Sequence, residues 1–116
     1  LRYCFLRCKN GSNLELFEYK SPDQKQKVPK NSDVGGHHLA LYIDDIYAAV
    51  KFLKSKNIRI LGEIKEISSG PAAGSSWVYF LAPWGLQMEL VSFPNGKDYE
   101  KTSKRILWHS KFPGRI

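Results

Sequence analysis

The chain has 116 residues, of which 42% are apolar and 25% charged, with a formal net charge of +7. That length holds one domain with one modest core, and that composition excludes a disordered chain. No apolar run approaches the roughly 20 residues that a transmembrane helix needs, so no membrane partner is expected. The first residues, Leu1-Arg2-Tyr3-Cys4-Phe5-Leu6-Arg7, carry polar interruptions and no small-residue cleavage site. They read as strand and not as a signal peptide, and without a starting Met they read as a chain whose beginning is missing.

Residues 1–9 are expected to form a strand, Asn10-Gly11-Ser12 a tight turn, and Asn13 to Tyr19 a second strand. Cys4 and Cys8 share one side of the first strand but lie about 13 Å apart, beyond disulfide reach. Two free thiols suit a reducing cytosol, so a cytoplasmic location is expected. Lys20 to Val34, polar and carrying Pro22 and Pro29, reads as an exposed linker.

Gly35-Gly36 opens a third strand, His37 to Ile43, and Asp44 or Asp45 caps the helix that follows. Ile46, Ala49, Val50 and Leu53 repeat at helical spacing, and Asn57 can end the helix in a left-handed conformation. Ile58 to Ile67 reads as a strand and residues 68–75 as a small-residue loop. Ser76 to Leu81 and Leu86 to Phe93 read as strands around the Pro83-Trp84-Gly85 turn. The fold class is α+β: a βαβββ module over residues 36–93, preceded by the closing hairpin of a truncated first βαβββ module. Residues 1–93 form the domain and 94–116 an irregular tail, with a short helix near Lys97 to Lys104.

The repeat rests on an offset of 74 residues, which lays Gly11 on Gly85, Glu15 on Glu89 and Leu16 on Leu90. The same shift lays Tyr3 on Trp77, Phe5 on Tyr79 and Leu14 on Met88. Matched apolar periodicity around a shared turn glycine marks two copies of one unit, the first beginning roughly 38 residues before Leu1.

The basic residues are spread along the chain, with no arginine cluster, helix-turn-helix spacing or zinc finger. They read as a solvated surface and not as a nucleic-acid face. The expected partner is a small molecule.

Strand alternation decides which side chains share a face. In Leu14-Glu15-Leu16 and Met88-Glu89-Leu90 the apolar residues face the core, so Glu15 and Glu89 point away from it. Leu39, Leu41 and Ile43 face the helix, so His38, Ala40 and Tyr42 take the opposite side. Phe5, Arg7, Trp77 and Tyr79 fall there too and are candidate substrate contacts with Tyr42. Two carboxylates and an imidazole suit one divalent metal, zinc, nickel, manganese or iron. Each residue also has a plainer reading. Glu15, beside Arg7 and Lys20, can be a solvated strand carboxylate, and His38, beside His37, a hydrogen-bonded strand-start histidine. Glu89 sits in a more apolar run, as a paired or a liganded group. His37 faces the other side and reads as structural, Trp84 as a rim residue, and His109 has no assigned role.

Three segments resemble the vicinal oxygen chelate superfamily, the group of glyoxalase I, extradiol dioxygenases and bleomycin-resistance proteins. Gly36 to Ile46 resembles the opening strand and helix start of its module. Tyr79-Phe80-Leu81-Ala82-Pro83-Trp84-Gly85-Leu86-Gln87-Met88-Glu89-Leu90 resembles the closing hairpin, and Gly11 to Glu18 the closing strand of the preceding module. The resemblance implies paired modules curved around a metal that two neighbouring substrate oxygens bind. It implies Glu15, His38 and Glu89 as metal ligands and Glu89 also as the proton-abstracting base. The fourth ligand belongs to a strand that these residues do not include, and a partner copy in a homodimer is one source of missing elements. The implied activity is that of a metal-dependent lyase or isomerase. A metal-free binding protein of the bleomycin-resistance type and an iron-dependent extradiol dioxygenase are the alternatives.

Overall fold

The computed structural model of the protein describes residues 1–8 and 12–115. The expected turn at Asn10-Gly11 lies outside the described residues. Six strands and one helix follow in the order β1 (Arg2–Arg7), β2 (Asn13–Glu18), β3 (Leu39–Tyr42), α1 (Ile46–Ser55), β4 (Ile60–Glu66), β5 (Ser76–Leu81) and β6 (Gln87–Ser92). A 3₁₀ turn at Asp98–Lys101 stands where the sequence suggested a short helix. No helix among the described residues is long and apolar enough to cross a membrane.

β3 to β6 form one four-stranded sheet in the order β3-β6-β5-β4. β3 runs parallel to β6, and the other neighbours are antiparallel. This is the expected α+β arrangement, a βαβββ module with a hairpin before it. A parallel pair needs a crossover, and α1, β4 and β5 lie within it. α1 starts where Asp45 Oδ1 accepts the Ala48 N–H at 2.9 Å, and the chain leaves it through Asn57 at φ 58°.

One face of the sheet is covered by α1. Ile46 and Val50 of the helix pack with Val78, Phe80, Met88 and Leu90 of β5 and β6, with Ala49 and Leu53 beside them. These are the helix positions that the helical spacing put on one face and the strand positions that alternation put inside. The uncovered face, called here the open face, carries the intervening residues.

β1 and β2 form a separate two-stranded sheet. Each of its cross-strand pairs maps onto a β5–β6 pair by the same 74-residue shift: Phe5 opposite Glu15 becomes Tyr79 opposite Glu89, and Tyr3 opposite Phe17 becomes Trp77 opposite Val91. The repeat read in the sequence is therefore a repeat of register. Tyr3, Phe5, Phe17 and Tyr19 form an aromatic row on the Glu15 side, all of them exposed.

β4 is an edge strand with a shift of register between Leu61 and Lys65, where Gly62 sits at φ +84°. A glycine takes that conformation without the strain a side chain would add, which lets the strand bulge.

Candidate functional site

The pairing of β3 with β6 sets Ala40 beside Glu89 and Tyr42 beside Val91. The pairing of β6 with β5 sets Tyr79 beside Glu89 and Trp77 beside Val91. Side chains at opposed positions share a face, so Glu89, Tyr42, Trp77 and Tyr79 all stand on the open face. His38, just before β3, joins them. Its Nε2–H donates to Glu89 Oε2 at 2.9 Å, and its ring meets Tyr79 edge-on at 5.2 Å. Asn31 donates to its other nitrogen, Nδ1, at 3.4 Å. That amide makes Nδ1 the acceptor and leaves the ring proton on Nε2, facing the carboxylate. The Glu89 side chain is 16% exposed and that of His38 33%, so the pair is reachable from solvent yet shielded.

The linker supplies Asn31 through two successive turns. Asp33 N–H donates to Lys30 O at 3.0 Å, Gly36 N–H to Asp33 O at 2.8 Å, and Lys30 N–H to Asp33 Oδ2 at 2.8 Å. Gly36 closes on this turn so tightly that a Cβ there would lie 1.9 Å from Lys30 O. Gly36→Ala is expected to push the linker away, break the Asn31–His38 contact and destabilise the protein by about 1–3 kcal/mol. Thermal unfolding and the histidine NMR signals would check it. His37, on the outer side, holds Gly35 O at 2.9 Å through Nδ1.

An imidazole nitrogen and a carboxylate oxygen 2.9 Å apart have the spacing of two adjacent ligands on one ion, about 3 Å for bonds of about 2.1 Å at right angles. The donor pair would therefore fit a divalent metal in the other tautomer, with the ring proton on Nδ1 and the Asn31 side chain turned so that its amide oxygen accepts it. Glu15 is not brought to this pair. It stands exposed on β2, opposite Phe5 and on the Arg7 side of the hairpin. Among the described residues no three His, Cys, Asp or Glu side chains gather around one point. Cys4 and Cys8 are free thiols.

At the far end of the open face Tyr42 donates to Asp44 Oδ1 at 2.7 Å. Burial, and then that hydrogen bond, raises its phenol above the ordinary range, which leaves Tyr42 a hydrogen-bond donor and a poor acid. The same bond, helped by Lys111, holds the Asp44 carboxyl below its ordinary value. A shallow cleft of about 530 Å³ lies elsewhere, between α1 and β4, lined by Tyr47, Lys51, Lys54 and Glu63, and none of the open-face residues enters it.

Two epimerases stand among the chain's relatives. The 2-epi-5-epi-valiolone epimerase of an Actinomyces species is 46% identical over 108 residues, which are 92% of this chain and 59% of that protein. The mitochondrial methylmalonyl-CoA epimerase of Dictyostelium discoideum is 37% identical over 67% of this chain and 44% of its own length. The uncharacterized protein YaeR of Escherichia coli is 34% identical over 66% of this chain and 55% of that protein. The chain thus spans about half the length of the curated relatives it matches. The crystal structure of SMU.1112c superposes with a TM-score of 0.56 at 26% identity, covering 78% of this chain and 68% of that one. No family model matches the chain.

The sequence reading missed His109. It is 4% exposed, packed between Tyr42, Phe93 and Phe112. The concentration of aromatic residues at Phe93, Trp108 and Phe112 is the signal that could have found it. Trp84, at 58% exposure, is a rim residue of the β5–β6 turn.

Proposed function

We propose that this chain carries part of an epimerase site of the glyoxalase type, which moves a proton at a carbon next to a carbonyl group. The observation that carries the reading is the 2.9 Å contact of His38 Nε2 with Glu89 Oε2 on the open face. Support comes from the two epimerases among the relatives and from the equivalence of Glu15 and Glu89 in the register repeat. His38 and Glu89 hold a divalent metal in this proposal, and Glu15 joins them when the hairpin face meets the open face. When bound, the metal supplies positive charge beside two neighbouring substrate oxygens as negative charge develops on them.

The protein groups do the proton transfer. Glu89 removes the hydrogen from the carbon next to the carbonyl, the C–H electron pair moves toward the carbonyl oxygen, and the carboxylate becomes a carboxylic acid. Return of a proton to the opposite face of the same carbon restores the C–H bond with inverted configuration. Glu15, carried on a different sheet and entering the step as a carboxylic acid, is the group proposed to deliver it; it leaves as a carboxylate, and proton exchange with water resets the two glutamates. Trp77, Tyr79 and Tyr42 line the face and keep water from the carbon, with Phe5 and Arg7 on the hairpin side. The substrate class is a small oxygen-rich ketone or oxo acid. The chemistry class is isomerase, and nothing in it needs an oxidant.

The test is solvent isotope exchange. With 2-epi-5-epi-valiolone in deuterium oxide, the protein carrying its divalent metal is expected to place deuterium on the carbon beside the carbonyl. Exhaustive chelation is expected to reduce the rate by about 10³ or more, and added metal to restore it. Equal exchange before and after chelation would remove the metal from the reading, and no exchange in any state would remove the epimerase.

One observation favours a second reading, a metal-free protein that sequesters a planar compound. Trp77 and Tyr79 lie 4.9 Å apart and Tyr79 lies against His38, so the open face is an aromatic surface in its own right. Ligand quenching of tryptophan fluorescence that survives chelation, without any isotope exchange, would establish it.

A further inference from the structure

The C-terminal segment returns to the open face at one end. Because β3 and β6 run parallel, their C-terminal ends lie side by side, and Tyr42 and Phe93 stand there, 4.8 Å apart between ring centroids. His109 packs on both rings, at 5.1 Å and 4.9 Å, and Phe112 backs it at 5.3 Å. Its two nitrogens are both used. Nδ1 accepts the Lys111 N–H at 3.0 Å, so the proton sits on Nε2, which donates to Phe93 O at 3.1 Å. A neutral imidazole thus braces the tail's backbone against the end of β6. The segment is tied down on both sides of it. Leu107 N–H donates to the Tyr99 hydroxyl at 2.9 Å, and Lys111 Nζ lies 3.5 Å from the Asp44 carboxylate that accepts from Tyr42.

Glu89 and Phe93 are four positions apart, so about 13 Å of open face separates the His38–Glu89 pair from this aromatic cluster. We propose that residues 105–115, pinned by His109, form an end wall that limits the length of the molecule the open face accepts. The wall admits a single ring or a short oxo acid and refuses a chain that runs on past Tyr42. The proposal rests on the open face being the ligand site. His109 acts through Tyr42 and Phe93 as a positioning residue and needs no contact with the ligand.

The experiment compares wild type, His109→Ala and Phe112→Ala. The probes are phenylpyruvate and its analogues lengthened by two and by four methylene groups, each with two adjacent oxygens. Calorimetry in the presence of zinc gives the affinities. In wild type the longest probe is expected to bind about tenfold more weakly than the shortest, and in both variants to recover about that tenfold while the shortest changes little. The same length dependence in all three proteins overturns the proposal, as does a uniform loss for every probe, which is a folding effect. Absence of binding by every probe to wild type overturns it too, by removing the open face as the ligand site. If His109→Ala does not fold, Phe112→Ala decides, since Phe112 is 48% exposed and its loss empties little core. Failure of the epimerase reading would show in the isotope assay and would leave this length dependence measurable.

Discussion

Glu89→Gln is expected to lower the isotope-exchange rate by about 10³ while leaving the protein folded. The substitution keeps the size of the side chain and removes its ability to take a proton. The His38 Nε2–H can still donate to the amide oxygen, so the local hydrogen bond survives in weaker, uncharged form. The side chain is part-buried at the face of the sheet and not in the core under α1, so the stability effect is expected to stay within about 1 kcal/mol. Rates by NMR and a thermal melt on the same sample separate the two effects. A variant that keeps its melt and its rate removes Glu89 as the base, and a variant that loses both says only that the residue is needed for folding.

Phe80→Ala is expected to destabilise the protein by about 3–5 kcal/mol, as large aromatic-to-alanine changes in cores do. Phe80 lies in the buried cluster that joins β5 and β6 to α1, and that cluster is small: Ile46, Val50, Val78, Phe80, Ala82, Met88 and Leu90. The ring fills space between helix and sheet that neighbours held in strand register cannot close. Small domains are stable by about 5–15 kcal/mol in all, so this one change removes a large part of it. Denaturant unfolding would measure it. A loss below about 1 kcal/mol would mean that the helix is not held by this cluster.

The elements that local chemistry specifies were legible in the sequence. Asp45 caps α1 because a carboxylate is there to take an orphan N–H, and Asn57 leaves it because asparagine tolerates a positive φ. Alternation placed Leu39, Leu41, Met88 and Leu90 on one side and Tyr42, Glu89, Trp77 and Tyr79 on the other. The meeting of His38 with Glu89 was a different matter. It needs β3 to lie parallel beside β6, strands that are distant in the chain, and no periodicity carries that information. Alternation set each residue on the same side of its own strand, and the pairing of β3 with β6 is what brings the two together. The start of β4 fell at Ile60 and not at Ile58, because Ile58 N–H still donates to Leu53 O in the turn that closes the helix. His109 escaped because its burial comes from a tail without regular structure, where no periodicity marks which residues turn inward.

The two outer margins of the four-stranded sheet are unlike one another. Along β4 the kink at Gly62 interrupts the even row of amides and carbonyls on which an incoming strand would dock, and such irregularities discourage further growth. β3 has no such defect between Leu39 and Tyr42. Of the two margins, β3, the one that bears His38, therefore presents the uninterrupted row of backbone amides and carbonyls.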